Sequence, residues 1–415
     1  MYMHFATIIF ALTYLLISWG ENSPRKLDRP TAALLGAVLM VMTGSLTRHE
    51  AAVALDFSTL AVLFGMMVLL ALLTQSGLPT WLGLRALNRC RGPHGLLALT
   101  VFVSGIASAV MLNDTVCLLG TPLIFALTAQ AKIPATPFLL ALATSANIGS
   151  VMTITGNPQN IIIGHASGWG WSAFALRMVP IGLVCLCVNW LMLEMLFRRS
   201  LVPLEMNWPR PGVLKVEVQR TLAIKSVAAL SGLIVAFWVG APMDVAAMTA
   251  AALLLVWANR PPQRALEAID WSLLLFFAGL FIVVAGFVKE DRALLNSWIS
   301  NLGTEVWFGS ILRISVAAII GSNLFSNVPF VLIVSHWVPQ MSNPKFVWLL
   351  LALTSTFAGN LTLFGSVANV IVAQGAQQRA PLRFTDFLRA GVPITIVTTA
   401  VGVLLLWAFL VWGWI

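Results

Sequence analysis

The chain has 415 residues, of which 59% are hydrophobic and 9% charged, against about 45–50% apolar and 25% charged in a soluble domain. That balance excludes a water-soluble fold. The net charge of +9 does not point to nucleic acid, because the basic residues are scattered through short loops between apolar runs, as positive-inside topology demands.

Apolar runs long enough to cross a hydrocarbon core of about 30 Å recur along the whole chain. In order they predict spans over 5–20, 31–46, 57–75, 136–164 and 171–197, then 222–240, 242–258, 271–289, 345–373 and 388–413. The first run is signal-like, but basic residues follow it and no small-residue cleavage site does, so it reads as a span. Runs such as "ALLGAVLMVM" and "VGVLLLWAFL" are apolar all round, which suits helices and excludes the alternating pattern of a membrane barrel. Two further apolar regions, 95–128 and 306–336, carry the polar interruptions "MLNDT" and "FSNVP". Each is too long for one crossing and too interrupted for two, and reads as a re-entrant hairpin. The fold class is therefore an all-α polytopic membrane protein with about ten transmembrane helices, two re-entrant hairpins and two broken helices. The hydrophilic stretch 198–221 is the one substantial linker.

The two sides of that linker repeat one another. Asp56, Ser58 and Gly65 match Asp270, Ser272 and Gly279 at an offset of 214 residues, and the same offset carries Asn113 onto Asn327. Thr144 and Ser145 match Thr354 and Ser355 at 210, and Asn160 matches Asn369 at 209. This gives a first repeat over 1–197, with hairpin 95–128 and broken helix 136–164, and a second over 222–415, with hairpin 306–336 and broken helix 345–373. With an odd number of crossings per half, the second copy enters the membrane inverted, the plan of secondary transporters. Most of the 24 basic residues fall on one side if both termini face outward and 198–221 faces the cytoplasm.

"TITGNPQNIIIG" breaks the span 136–164. Pro158 lacks an amide proton and pushes Asn157 out of helical geometry, while Gly149 and Gly156 ease an unwound backbone. The break is expected near 153–158, covered by protein or a watery cavity. "AGNLTLFGSVAN" supplies Asn360, Thr362, Gly365, Ser366 and Asn369 in the same role. Two broken spans and two hairpin tips would meet near the midplane, offering helix N-termini to an anion and carbonyl, Asn and Thr oxygens to a cation. Asp114 is the one acidic residue expected deep in the bilayer, where such residues are functional by default. Arg177 and Arg313 are expected to snorkel, His165 and His336 to sit near external span ends, and the tryptophans to anchor the interface. Cys90, Cys117, Cys185 and Cys187 have no metal-ligand spacing and read as inert thiols.

"MLNDTVCLLGTPLI", "SANIGSVMTITGNPQNIIIG", "SNLFSNVPFVLIV" and "TSTFAGNLTLFGSVANVIVAQ" together resemble the ion transporter superfamily of arsenite permeases, NhaD-type sodium/proton antiporters, citrate carriers and divalent-anion/sodium symporters. Bacterial inner-membrane anion permeases look most similar. The resemblance implies a scaffold and a mobile, elevator-like unit that contains the hairpins and broken helices. By position it implies that Asn113, Asp114, Thr115, Ser326 and Asn327 contact substrate or coupling ion, and that Asn147, Gly156, Asn157, Asn160, Asn360, Thr362, Gly365, Ser366 and Asn369 line the broken helices. A coupling sodium ion would lie at Asn113, Gly156, Asn327 and Gly365. The symporters' Ser-Asn-Thr tip here reads Leu-Asn-Asp-Thr and Ser-Asn-Val-Pro.

The expected activity is secondary transport of a small inorganic or organic anion across the inner membrane, coupled to a proton or sodium gradient. The alternatives are a sodium/proton antiporter on the same fold, and an intramembrane enzyme or structural subunit. No "HExxH", "GxSxG" or phosphate-cradling loop is present, so no catalytic residue is assigned. No cofactor is expected. The expected partners are the small anion, the lipid bilayer and a second copy in a homodimer.

Overall fold

In the computed structural model the described residues are 5–19, 28–87, 90, 92–201, 216–291 and 307–415. The first half comprises α1 (Phe5–Trp19), α2 (Arg29–Met42), α3 (Arg48–Ala54), α4 (Phe57–Gln75), α5 (Leu78–Leu87), α6 (Pro93–Val110), α7 (Asn113–Ala131), α8 (Thr136–Ser150), α9 (Pro158–Ser167) and α10 (Trp171–Phe197). The second comprises α11 (Arg220–Trp238), α12 (Met243–Trp257), α13 (Gln263–Glu267), α14 (Trp271–Glu290), α15 (Phe308–Phe325), α16 (Asn327–Ser335), α17 (Pro344–Ala358), α18 (Val367–Ala376) and α19 (Phe384–Val411). Among the described residues all regular structure is helical.

Packing repeats with the halves exchanged. Helix α2 lies on α14 as α12 lies on α4; α1 packs on α2 as α11 packs on α12. Hairpin α6–α7 packs on α8 as α15–α16 packs on α17, while α18 lies against α7 as α9 lies against α16. Two equivalent close crossings use matched glycines. A Cβ on Gly65 would come within 2.7 Å of the Ala247 backbone, and one on Gly279 within 2.8 Å of the Ala33 backbone. Only a residue without a side chain lets these helices approach so closely. Matched aspartates start the two spans concerned: Asp56 accepts from the Thr59 N–H and Asp270 from the Leu273 N–H, each at 3.0 Å, capping α4 and α14.

The structure adds detail that hydropathy does not resolve. The short helices α3, α5 and α13 join spans, and each has too few apolar residues to register as a crossing. The hairpin arms are longer than their turns suggest: α6, α7 and α15 are each long and apolar enough to cross a membrane alone. Their tips, however, meet the helix breaks of α8–α9 and α17–α18 instead of emerging beyond them. Of the linker 198–221, positions 202–215 lie outside the described residues, as do 292–306. Next to α11, the Gln219 N–H donates to the Ser76 carbonyl at 2.9 Å, fastening the linker's far end to the end of α4.

Candidate functional site

Helix α8 stops at Ser150 because the chain must turn where Gly156 passes its carbonyl. A Cβ on Gly156 would lie 2.1 Å from the Ser150 oxygen, so no other residue fits. Asn157 then adopts an extended backbone (φ −153°, ψ 161°) and its Oδ1 accepts from the Asn160 N–H at 2.8 Å, capping α9, with Pro158 in the first helical position. Asn160 Nδ2 donates to the carbonyls of Ser150 (3.2 Å) and Thr153 (3.0 Å). The second break repeats this device: Asn369 Nδ2 donates to the carbonyls of Gly359 (2.7 Å) and Thr362 (3.0 Å), and Gly365 passes the Gly359 carbonyl. Side-chain amides thereby satisfy the carbonyls of Ser150, Thr153, Gly359 and Thr362 at the two breaks, groups that could not face lipid unpaired.

A network of buried amides joins the halves. Asn147 Nδ2 donates to Asn360 Oδ1 (2.8 Å) and Asn369 Oδ1 (3.0 Å), and its Oδ1 accepts from Asn113 Nδ2 (3.0 Å) and Ser366 Oγ (2.9 Å). Asn360 Nδ2 reaches the Thr144 carbonyl. Asn157 Nδ2 donates to Ser150 Oγ and Thr356 Oγ1, and Gln159 Nε2 also donates to Thr356 Oγ1. Thr362 Oγ1 donates to Asn323 Oδ1 at 3.0 Å.

Beside this network is a cavity of about 30 Å³, room for one or two water-sized bodies. Asn113, Asp114, Gln159, Ser326, Asn327 and Ser366 form its polar wall; Leu273, Phe276 and Phe277 of α14 form an apolar one. The first residues of α7, α9, α16 and α18 all border it, so four helix N-termini direct partial positive charge at one point. Asp114 is the single carboxylate among the lining residues, and no basic side chain lines it. The Oδ1 atoms of Asn113 and Asn327 are buried and meet no donor among the described residues. Ser326, between α15 and α16, holds a left-handed backbone (φ 70°) that is costly for a residue with a side chain, whereas its repeat mate Leu112 is ordinary (φ −57°).

The structure thus brings Asn113, Asp114, Ser326, Asn327 and Ser366 to one cavity. Asn147, Asn157, Asn160, Asn360, Asn369, Thr362, Gly156 and Gly365 lie behind it as its framework. Thr115 is half-buried and does not line it. Gln159, Thr356, Asn189 and Asn323 were not anticipated. Asn189 Nδ2 donates to Thr144 Oγ1 and Ser145 Oγ. Asn323 has no polar counterpart at the equivalent position of the first half, Ala109, so the repeat gives no signal for it; Thr356 answers to Asn147 at the offset of 209 that pairs Asn160 with Asn369, and Gln159 stood in view within "GNPQN".

Away from the cavity, Arg177 Nε donates to the Trp414 carbonyl at 2.7 Å and its guanidinium lies over the Trp169 ring, while Arg313 lies over Trp307. His165 is paired with Asp56 at 3.0 Å, and His336 bonds the Leu332 carbonyl. Among the described residues no cluster of His, Cys, Asp and Glu is suited to a metal ion.

The profile of a family described as citrate transporter matches residues 14–358. The silicon efflux transporter LSI3 of Oryza sativa subsp. japonica is 31% identical, over 96% of this chain and 96% of its own. The Dictyostelium discoideum protein named as transporter arsB is 25% identical over 96% of this chain and 91% of its own. In fold, the chain is similar to the YdaH transporter of Alcanivorax borkumensis, with a TM-score of 0.61 at 12% identity, covering 99% of this chain and 97% of that one. With inverted halves, paired hairpins and broken helices converging on one polar cavity, and a family match across most of its length, this chain belongs to the citrate transporter family of multi-pass membrane transporters.

Proposed function

We propose that this protein is a secondary active transporter of a small, oxygen-rich anion or its undissociated acid, coupled to a proton or sodium gradient and working by an elevator-like motion in the inner membrane. The observation that carries the reading is the cavity beneath four helix N-termini. Its N-termini favour negative charge or electron-rich oxygen, while the free acceptors Asn113 Oδ1 and Asn327 Oδ1 and the Asp114 carboxylate call for a hydroxyl donor, a proton or a cation. Its volume of about 30 Å³ favours a compact substrate over a tricarboxylate in this conformation. The relative named for silicon efflux agrees with that size.

The cavity's position supports an elevator. It flanks the first two turns of α14, at Leu273, Phe276 and Phe277, and not the matching turns of α4 at Thr59, Val62 and Leu63. An off-centre site between two equivalent scaffold helices is what a unit displaced toward one membrane face would present. Asp114 is the natural carrier of a coupling proton, and Asn113 with Asn327 could complete a site for sodium. Exchange of sodium for protons alone is the weaker reading, because one carboxylate lines the cavity. Both termini outside and 198–221 in the cytoplasm follow from the charge bias of the loops.

Purified protein in vesicles, loaded with a panel of small anions under an imposed pH or sodium gradient, tests the reading. Accumulation of at least one small oxyanion or its acid, driven by one of the two gradients, is expected. Sodium/proton exchange with no dependence on any anion would overturn it.

A further inference from the structure

A second, larger cavity of about 460 Å³ lies between α5 and the first hairpin, walled also by Leu73 of α4 and Val227 of α11. It follows α6 from Leu99 to Met111, a run of about 18 Å at 1.5 Å per residue. Its lip is formed by Leu82 and Val103, both exposed on the outside of the helix bundle, the side that lipid covers. Its walls are almost wholly aliphatic. The two hydroxyls that line it, Thr100 and Ser104, are each committed to a backbone carbonyl of their own helix, at 2.8 and 2.6 Å. It therefore offers a polar molecule nothing, and water would find no partners in it.

One end is different. There α5 contributes Leu82, Gly83 and Ala86 to the wall, while on its neighbouring face Trp81 and Arg85 stack, guanidinium 5.0 Å from the ring centroid. An exposed Arg stacked on a Trp, one turn along α5 from the lip residue Leu82, sets an anion-binding group beside an aliphatic slot, an arrangement for an anionic head and an apolar tail.

We propose that this groove binds one anionic phospholipid, its phosphate at Arg85 and one acyl chain running along α6 toward the hairpin tip. Bound there, the chain fills the space between α4–α5 and α11 on one side and the hairpin carrying Asn113 on the other. The lipid is then a wedge between the parts that alternating access would slide past each other. The site does not depend on the nature of the transported substrate.

The test uses the full chain in phosphatidylcholine vesicles containing a small fraction of phosphatidylglycerol with a photoactivatable group in its acyl chain, with adducts mapped by mass spectrometry. Labelling on α5, α6 and α7 is expected to exceed that on the outer faces of α10 and α19 by about tenfold, an affinity difference of about 1.4 kcal/mol. Ala107→Phe, which fills the groove, removes the excess. Ala86→Phe at the mouth gives the same result and stands in if Ala107→Phe does not fold. Arg85→Gln keeps the acyl adduct but loses the preference for phosphatidylglycerol over a phosphatidylcholine probe. Even labelling of all outer helices, an excess that survives both Phe variants, or equal labelling by both probes in the unaltered protein would overturn the proposal.

Discussion

Asn113 at the tip of the first hairpin gives its amide proton to Asn147 in the last turn of α8, 3.0 Å away, and Asn147 passes both of its own to Asn360 and Asn369 of the other half. One side chain therefore fixes a hairpin tip of the first half against the broken helix of the second. Replacing it leaves several buried partners unpaired, each costing about 1–3 kcal/mol. Asn147→Leu should lower the thermal unfolding midpoint sharply and abolish transport. An unchanged midpoint would mean that the network is not continuous.

Asp114→Asn keeps the size of the side chain and removes its charge and its titration. The variant should still bind substrate, because Asn113, Asn327 and the helix N-termini remain, but should lose gradient-driven accumulation in reconstituted vesicles. Normal accumulation with unaltered ion dependence would reduce Asp114 to a structural role in the tip.

Gly65 and Gly279 occupy the same crossing twice, so Val at either should cost about the same, about 1–3 kcal/mol of overpacking. Thermal unfolding of the two single variants measures this. A large loss at one and none at the other would break the equivalence of α4–α12 and α14–α2.

Glu50, on the exposed helix α3, is held at about 2 against an ordinary 4.5, first by the Lys289 ammonium at 2.6 Å and then by the Thr47 N–H and hydroxyl. A depressed carboxylate stabilises the fold above its unfolded value and loses that contribution as pH falls from about 4.5 to about 2. Glu50→Gln should flatten the pH dependence of unfolding in that window. The effect is small and salt-sensitive because the pair is exposed; an identical pH profile in the variant at low salt would contradict it.

In a cysteine-free background on intact cells, an impermeant thiol reagent should reach a cysteine at Gly170, between α9 and α10, and miss one at Arg210, in the part of the linker outside the described residues. The reverse pattern would turn the molecule over in the membrane.

Much of the architecture was legible in the sequence because apolar length and broken symmetry are both written in residue types. Gly156, Asn157 and Pro158 announce a break by backbone chemistry alone, and an offset near 210 finds its partner. The helix ends shifted by a few residues, as with α8 stopping at Ser150, because the terminus is set by which carbonyls Asn160 can reach across the turn. The candidate site was legible in amides on which the halves agree, such as Asn113 and Asn327, and in Asp114, a lone carboxylate in an apolar run. Asn323 answers to Ala109, so no internal comparison could raise it, and its role depends on contacts with α17 and the second break; Thr356 answers to Asn147 only once the one-residue change of offset near the break is known. Sequence also grouped the cavity residues with their framework, since both are Asn, Ser and Thr; only geometry separates Asn327, with a bare oxygen, from Asn369, with both amide protons committed.

Matched crossings at Gly65 and Gly279 give the two halves the same helix-on-helix contact, α4 on α12 and α14 on α2. In the proposed elevator, a frame of that kind would favour neither end position by itself. Any resting bias of that motion would come from places where the copies diverge, among them Asp114 against Val328, Ser326 against Leu112 and Asn323 against Ala109. Shifting that bias would fall to edits at such positions, with the glycine crossings left as they are.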